Sequence, residues 1–162
     1  MDEQFFTREV KEMERSLYRV AYSYLRSDED AADAVQDALL TSWGKRHTLR
    51  QPQYFRTWLT RILINACKAR LRKRRFDIPL SEEVMPAGED SFNDFYLRDA
   101  MAKMDIKYRV PLLLFHLEGY TQKEISHLLA LPTGTVKSRI SRAKDQLRTL
   151  LKDEEVFRDE AL

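Results

Sequence analysis

Apolar residues recur at alternating steps of three and four along most of the chain, the spacing of helices that bury one face. Phe6, Val10, Met13, Leu17, Val20 and Tyr24 mark a first helix that ends near Leu25. Ser27 and Asp30 cap a second, along which Val35, Ala38, Leu39 and Trp43 turn inward. A third runs from about Tyr54 to Arg75, with Phe55, Trp58, Leu59, Ile62, Leu63 and Ala66 on its apolar face. The period is then lost over FDIPLSEEVMPAGEDSFNDF, which holds two prolines, a glycine and many acids. This stretch reads as a linker: either a flexible tether or an extended strand that docks Phe76, Ile78, Leu80, Phe92 and Phe95 on a partner.

Periodicity returns from Tyr96, where Leu97, Ala100, Met101 and Met104 predict a helix, and Val110 to Leu117 predict another that Gly119 ends. Thr121 followed by Glu124 is a capping box, and Ile125, Leu128 and Leu129 supply the apolar face behind it. Leu131-Pro132-Thr133-Gly134 breaks that helix, because proline lacks a donor and glycine tolerates unusual backbone angles. The next begins near Gly134 or Thr135 and gathers Val136, Ile140, Ala143, Leu147 and Leu150 on one stripe. Leu151 is the last apolar position of the period, and residues 152–162 read as a frayed acidic tail. The expected fold is all-α, with two small helical domains at 1–75 and 96–151 joined by an extended linker at 76–95.

Overall charge changes little in this picture, since the net is only +2 over 162 residues. Segregation of charge changes it a great deal. Between Asp37 and Asp77 no acid occurs, while eleven cations from Lys45 to Arg75 crowd the same window. On the third helix Arg61, Asn65, Lys68 and Arg72 fall on a stripe apart from the apolar face. Cations there suit phosphates, and Asn65 is the member able to bond a base edge. The loop before it, residues 47–55, mixes cations such as Arg50 with Tyr54 and Phe55, the chemistry of stacked or extruded bases.

The last two helices suit duplex DNA. Two short helices around a tight turn, the second basic outward and apolar inward, form a helix-turn-helix. Its outward arc carries Lys137, Ser138, Ser141, Arg142 and Arg148. Cations can pair with guanine edges or phosphates, and small serines allow close approach. A different stripe, Asp30, Asp33 and Asp37 on the second helix, is acidic, and could meet a basic partner protein, hold a divalent cation or simply face water.

Other chemistry finds little support. The single cysteine, Cys67, sits at the edge of an apolar face and reads as packing. His47, His116 and His127 lack metal-ligand spacing, so neither a metal nor another cofactor is expected, nor a small-molecule substrate. The acidic start MDEQFFTREVKEME is unlike a signal peptide, and the longest apolar run, VPLLLF at 110–115, is too short for a bilayer; no direct membrane insertion and a soluble, cytoplasmic chain are expected.

The motifs together resemble those of extracytoplasmic-function (group IV) sigma factors of bacterial RNA polymerase. DEDAADAVQDALLTSW at 28–43 is similar to the family's region 2.2, FRTWLTRILINACKARLRKRR at 55–75 to regions 2.3 and 2.4, and YTQKEISHLLALPTGTVKSRISRAKDQL at 120–147 to region 4.2. The resemblance implies that Asp30, Asp33, Gln36 and Asp37 dock on the clamp helices of the polymerase's largest subunit, with a further contact to the flap of the second subunit. It implies that the 47–55 loop with Arg50 and Tyr54, and the face with Arg61, Asn65, Lys68 and Arg72, capture and melt the −10 element of promoter DNA. Lys137, Ser138, Ser141 and Arg142 would read the −35 element, with Arg139 on phosphate. An anti-sigma factor is implied as a further partner, and no bond chemistry. The rival readings are a helix-turn-helix activator or repressor that works without polymerase, and a metal-dependent nuclease using the three aspartates.

Overall fold

A computed structural model describes residues 1–74 and 92–160, with side chains except those of 92–96 and 154–160. Residues 75–91, most of the expected linker, lie outside the described residues, and so does the proposed docking of Phe76, Ile78 and Leu80. Every regular element among the described residues is helical. They form two compact units.

The first unit is three helices packed pairwise: α1 (Glu3–Leu25), α2 (Asp28–Gly44) and α3 (Phe55–Arg74). Asp2 caps α1 by accepting from the Phe5 N–H at 2.8 Å, and Arg26 closes it in a left-handed conformation. One residue later Ser27 starts α2, its hydroxyl oxygen accepting from the Asp30 N–H. Phe6, Met13, Leu17, Val20 and Tyr24 are buried as the spacing predicts.

Two faces differ from expectation. On α2 the fully buried row is Ala31, Ala34, Ala38 and Ser42, while Val35, Leu39 and Trp43 are only half-buried. Small side chains let α2 lie close to its neighbours, and their weak hydrophobicity hides that face from a period search. On α3 the buried set is Phe55, Leu59, Thr60, Leu63, Ile64 and Cys67, so Trp58, Ile62 and Ala66 flank the core. Cys67 is therefore inside it, not at its edge. Phe55 anchors an aromatic cluster, with ring centroids 5.7 Å from both Phe5 and Phe6 and 5.8 Å from Trp58.

In the second unit α4 (Phe92–Ala102) and α5 (Ile106–Leu112) pack on α7 (Thr133–Glu160). Helix α4 begins before the expected Tyr96, and α5 before the expected Val110, because Asp105 caps it by accepting from the Lys107 N–H at 3.0 Å. Pro111 consequently falls inside the helix. Lacking an N–H, it cannot donate to the preceding turn; beyond Leu112, residues Leu113–Leu117 form a wider π-type turn in which the Glu118 N–H reaches back to the Leu113 carbonyl at 3.0 Å. Gly119, at φ 73°, ends the segment as predicted. Helix α7 starts at Thr133, so Gly134 belongs to its first turn, and it runs to Glu160 instead of fraying after Leu151. Residues 150–155 hold no glycine or proline and, apart from Asp153, are good helix formers, and the ladder propagates through them.

Candidate nucleic-acid interface

Two rows on α3 separate what the sequence lumped together as one basic region. Arg61, Asn65, Lys68 and Arg72 follow steps of four, three and four; Arg61, Asn65 and Arg72 are exposed and Lys68 is half-buried. Leu63, Cys67, Arg70 and Arg74 repeat the same steps two residues later, about 200° around the helix. The second row starts in the core and emerges against α2. There Arg70 donates to Asp37 at 2.7 Å, and Arg74 donates both to Asp30 and, at 2.7 Å, to the Leu25 carbonyl. Arg74 thus ties the end of α1 and the start of α2 to the end of α3. Its burial holds the guanidinium below the usual arginine range.

Another cation of the basic window is also engaged. Arg46 lies 4.1 Å over the Trp43 ring and donates to the Trp43 carbonyl at 2.8 Å, closing the end of α2. Arg50 stays exposed, as does Tyr54 with 55% of its surface free on a short 3₁₀ turn, Pro52–Tyr54, just before α3. The first unit therefore offers a polar face in which Arg61, Asn65 and Arg72 stand clear of the core, with an aromatic ring at its approach.

The acidic residues of α2 divide as well. Asp33 and Gln36 are exposed, Asp37 is exposed but ion-paired, and Asp30 is half-buried under Arg74. Leu40 continues that side of α2 with 70% of its surface free, a position no polar pattern flagged. Among the described residues no three His, Cys, Asp or Glu side chains are grouped as a metal site, and no helix is long and apolar enough to cross a membrane.

In the second unit the capping box forms as the sequence indicates: Thr121 donates its N–H to Glu124 at 2.7 Å, and its hydroxyl accepts from the Glu124 N–H at 3.1 Å. Helix α6 (Gln122–Leu129) buries Ile125, Leu128 and Leu129. It is ended by Ala130 in the left-handed region at φ 53°, and Pro132 accepts from the Val136 N–H to open α7. Val136, Ile140 and Ala143 are buried; Lys137, Ser138, Ser141 and Arg142 are exposed on the other side, and Arg139 is half-buried at the margin. The Ser138 hydroxyl donates to the Thr135 carbonyl at 3.2 Å, an exposed bond that a competing acceptor can replace.

Comparison with known proteins decides the family. Residues 10–76 match the Sigma-70 region 2 family and residues 94–147 the Sigma-70, region 4 family. The chain is 32% identical over 142 residues to the ECF RNA polymerase sigma factor SigM of Mycobacterium tuberculosis, covering 85% of this chain and 72% of that protein. This chain belongs to the extracytoplasmic-function (ECF) family of RNA polymerase sigma factors. It is likewise 27% identical over 151 residues to the RNA polymerase sigma factor SigV of Bacillus subtilis, covering 91% of each. Among solved structures it is similar to the sigma factor RpoE in complex with the anti-sigma factor NepR from Bartonella quintana, with TM-score 0.80 and 27% identity over 91% of this chain and 96% of that one. CnrH in complex with the cytosolic domain of CnrY is similar at TM-score 0.68 and 25% identity, over 94% of this chain and 90% of that one. As an ECF sigma factor the chain directs RNA polymerase to promoters. Its N-terminal half is a sigma-70 region 2 and not the sensory half that a polymerase-independent regulator would carry.

Proposed function

We propose that this sigma factor recognises two separate promoter elements through the two polar surfaces described above, while α2 docks on the polymerase. The supporting observation is the division of α7: Lys137, Ser138, Ser141 and Arg142 are exposed directly opposite buried Val136, Ile140 and Ala143. A helix so divided enters a major groove with its base-reading side chains free, and Arg142 and Lys137 suit guanine edges of the −35 element. Arg139, at the margin, suits phosphate.

On the first unit, Arg61, Lys68 and Arg72 neutralise −10 phosphates, Asn65 bonds a base edge, and Arg50 and Tyr54 receive an unstacked base. Holding an extruded base offsets the few kcal/mol of unstacking, so melting needs no bond chemistry and the chain is not an enzyme. Asp33, Gln36 and Asp37, with Asp30 behind them, face the clamp helices of the polymerase's largest subunit, and the second unit meets the flap of the second subunit. An anti-sigma factor masks these surfaces, as the relatives solved with NepR and CnrY suggest. The chain works in the cytoplasm, where polymerase and promoters are.

Equilibrium binding to duplex promoter DNA, with and without core polymerase, tests this reading. Sequence-specific binding only in the presence of core is expected. Strong sequence-specific duplex binding by the chain alone would overturn it.

A further inference from the structure

One serine engages both backbone polar groups of Leu131, in the turn that joins the two helices of the helix-turn-helix. The Leu131 N–H donates to the Ser126 carbonyl at 3.1 Å, and the Ser126 hydroxyl donates to the Leu131 carbonyl. The flanking positions give no such control. Ala130 sits at φ 53°, a conformation in which a side chain is strained, and Pro132 has no N–H to donate. Ser126 is half-buried, so its hydroxyl bond to Leu131 is partly shielded from water, and that bond alone depends on the side chain.

We infer that Ser126 is a positioning residue that sets the angle at which α7 leaves the turn, and through it the placement of Lys137, Ser138, Ser141 and Arg142 on DNA. The inference rests on the proposed reading of α7 as the −35 recognition helix. From Thr133 to Arg142 a helix extends about 14 Å, so a 10° change at the turn moves Arg142 by about 2 Å. That displacement exceeds the tolerance of a base-edge hydrogen bond. A phosphate contact by a flexible lysine or arginine absorbs it. Loss of the hydroxyl should therefore damage sequence discrimination and spare non-specific affinity.

The test uses full-length chain with core polymerase, on promoters selected by the wild-type holoenzyme from a randomised library and on the same promoters with the upstream element scrambled. Ser126→Ala should lower initiation on the selected promoters about five-fold, the loss of one hydrogen bond. Initiation on scrambled promoters and the salt dependence of DNA binding should not change, and Ser126→Thr, which keeps the hydroxyl, should restore most of the loss. Equal loss on both promoter sets, or no loss, would overturn the inference. Arg142→Ala run in parallel separates the two levels. If it too fails to distinguish the promoter sets, the reading of α7 falls, and if it alone distinguishes them, only the role of Ser126 falls. Should Ser126→Ala not fold, Ser126→Cys fills the same space with a weaker donor and is held to the same outcomes.

Discussion

Arg70 closes on Asp37 at 2.7 Å although 33 residues separate them, and in doing so it takes one carboxylate of the acidic stripe into the first unit's own framework. The pair is exposed, with 30% and 57% of the side-chain surfaces free, and pairs of that kind contribute at most about 1 kcal/mol. Asp33 is exposed one turn earlier on the same helix. Asp33→Arg should therefore weaken co-purification with core polymerase about ten-fold or more, at unchanged melting temperature. Retention equal to wild type would remove α2 from the docking surface.

Arg74 is a different case from Arg70. It bonds both Asp30 and the Leu25 carbonyl, one of the last carbonyls of α1 and without an onward helical partner. Arg74→Ala should lower unfolding free energy by about 1–2 kcal/mol, discounted for partial exposure, whereas Arg70→Ala should change it by less than about 1. Urea titrations followed by circular dichroism measure both, and equal effects would show that the clasp at Leu25 adds nothing.

The left-handed Ala130 gives a change of opposite sign. Glycine adopts φ 53° without the side-chain penalty and is the usual residue at this point of a helix end. Ala130→Gly should stabilise the chain by about 0.5–1 kcal/mol after the extra freedom of the unfolded chain is counted. A lower melting temperature would mean that the strain is already relieved elsewhere.

Cys67 links the core to pH. Burial pushes its thiol up to about 12 from an ordinary value of 9.0. Between those values the unfolded chain loses a proton that the folded chain keeps, so stability is complete below about pH 9 and falls as pH rises toward 12. Cys67→Ala should flatten that decline, at the cost of a small cavity. Native protein should leave the thiol unlabelled by iodoacetamide at pH 8 until denaturant is added, and rapid native labelling would contradict its placement in the core.

Helix existence and the exposed polar rows of α3 and α7 were legible in the sequence because their signals are local. The Thr121–Glu124 box, Ser27 and the three-four spacing of Val136, Ile140 and Ala143 all lie within two helical turns. What escaped was non-local or weakly hydrophobic. The partition of α3 cations depends on carboxylates 33 and 44 residues away. The buried row of α2 consists of Ala31, Ala34, Ala38 and Ser42, too faintly apolar to outweigh Val35, Leu39 and Trp43. Pro111 misled in the other direction: it suggested a first helical turn, but the Asp105 cap starts the helix earlier and leaves the proline inside it, ahead of the π-type turn.

Run-off transcription with purified core polymerase tests the central claim most directly, on templates in which the upstream and downstream promoter elements are varied independently. Transcripts should require both the chain and core. Arg142→Ala should cost about 1–3 kcal/mol in discrimination at the upstream element alone, and Asn65→Ala should cost a similar amount at the downstream element alone. Specific initiation by core without the chain, or both substitutions weakening every template alike, would contradict the account.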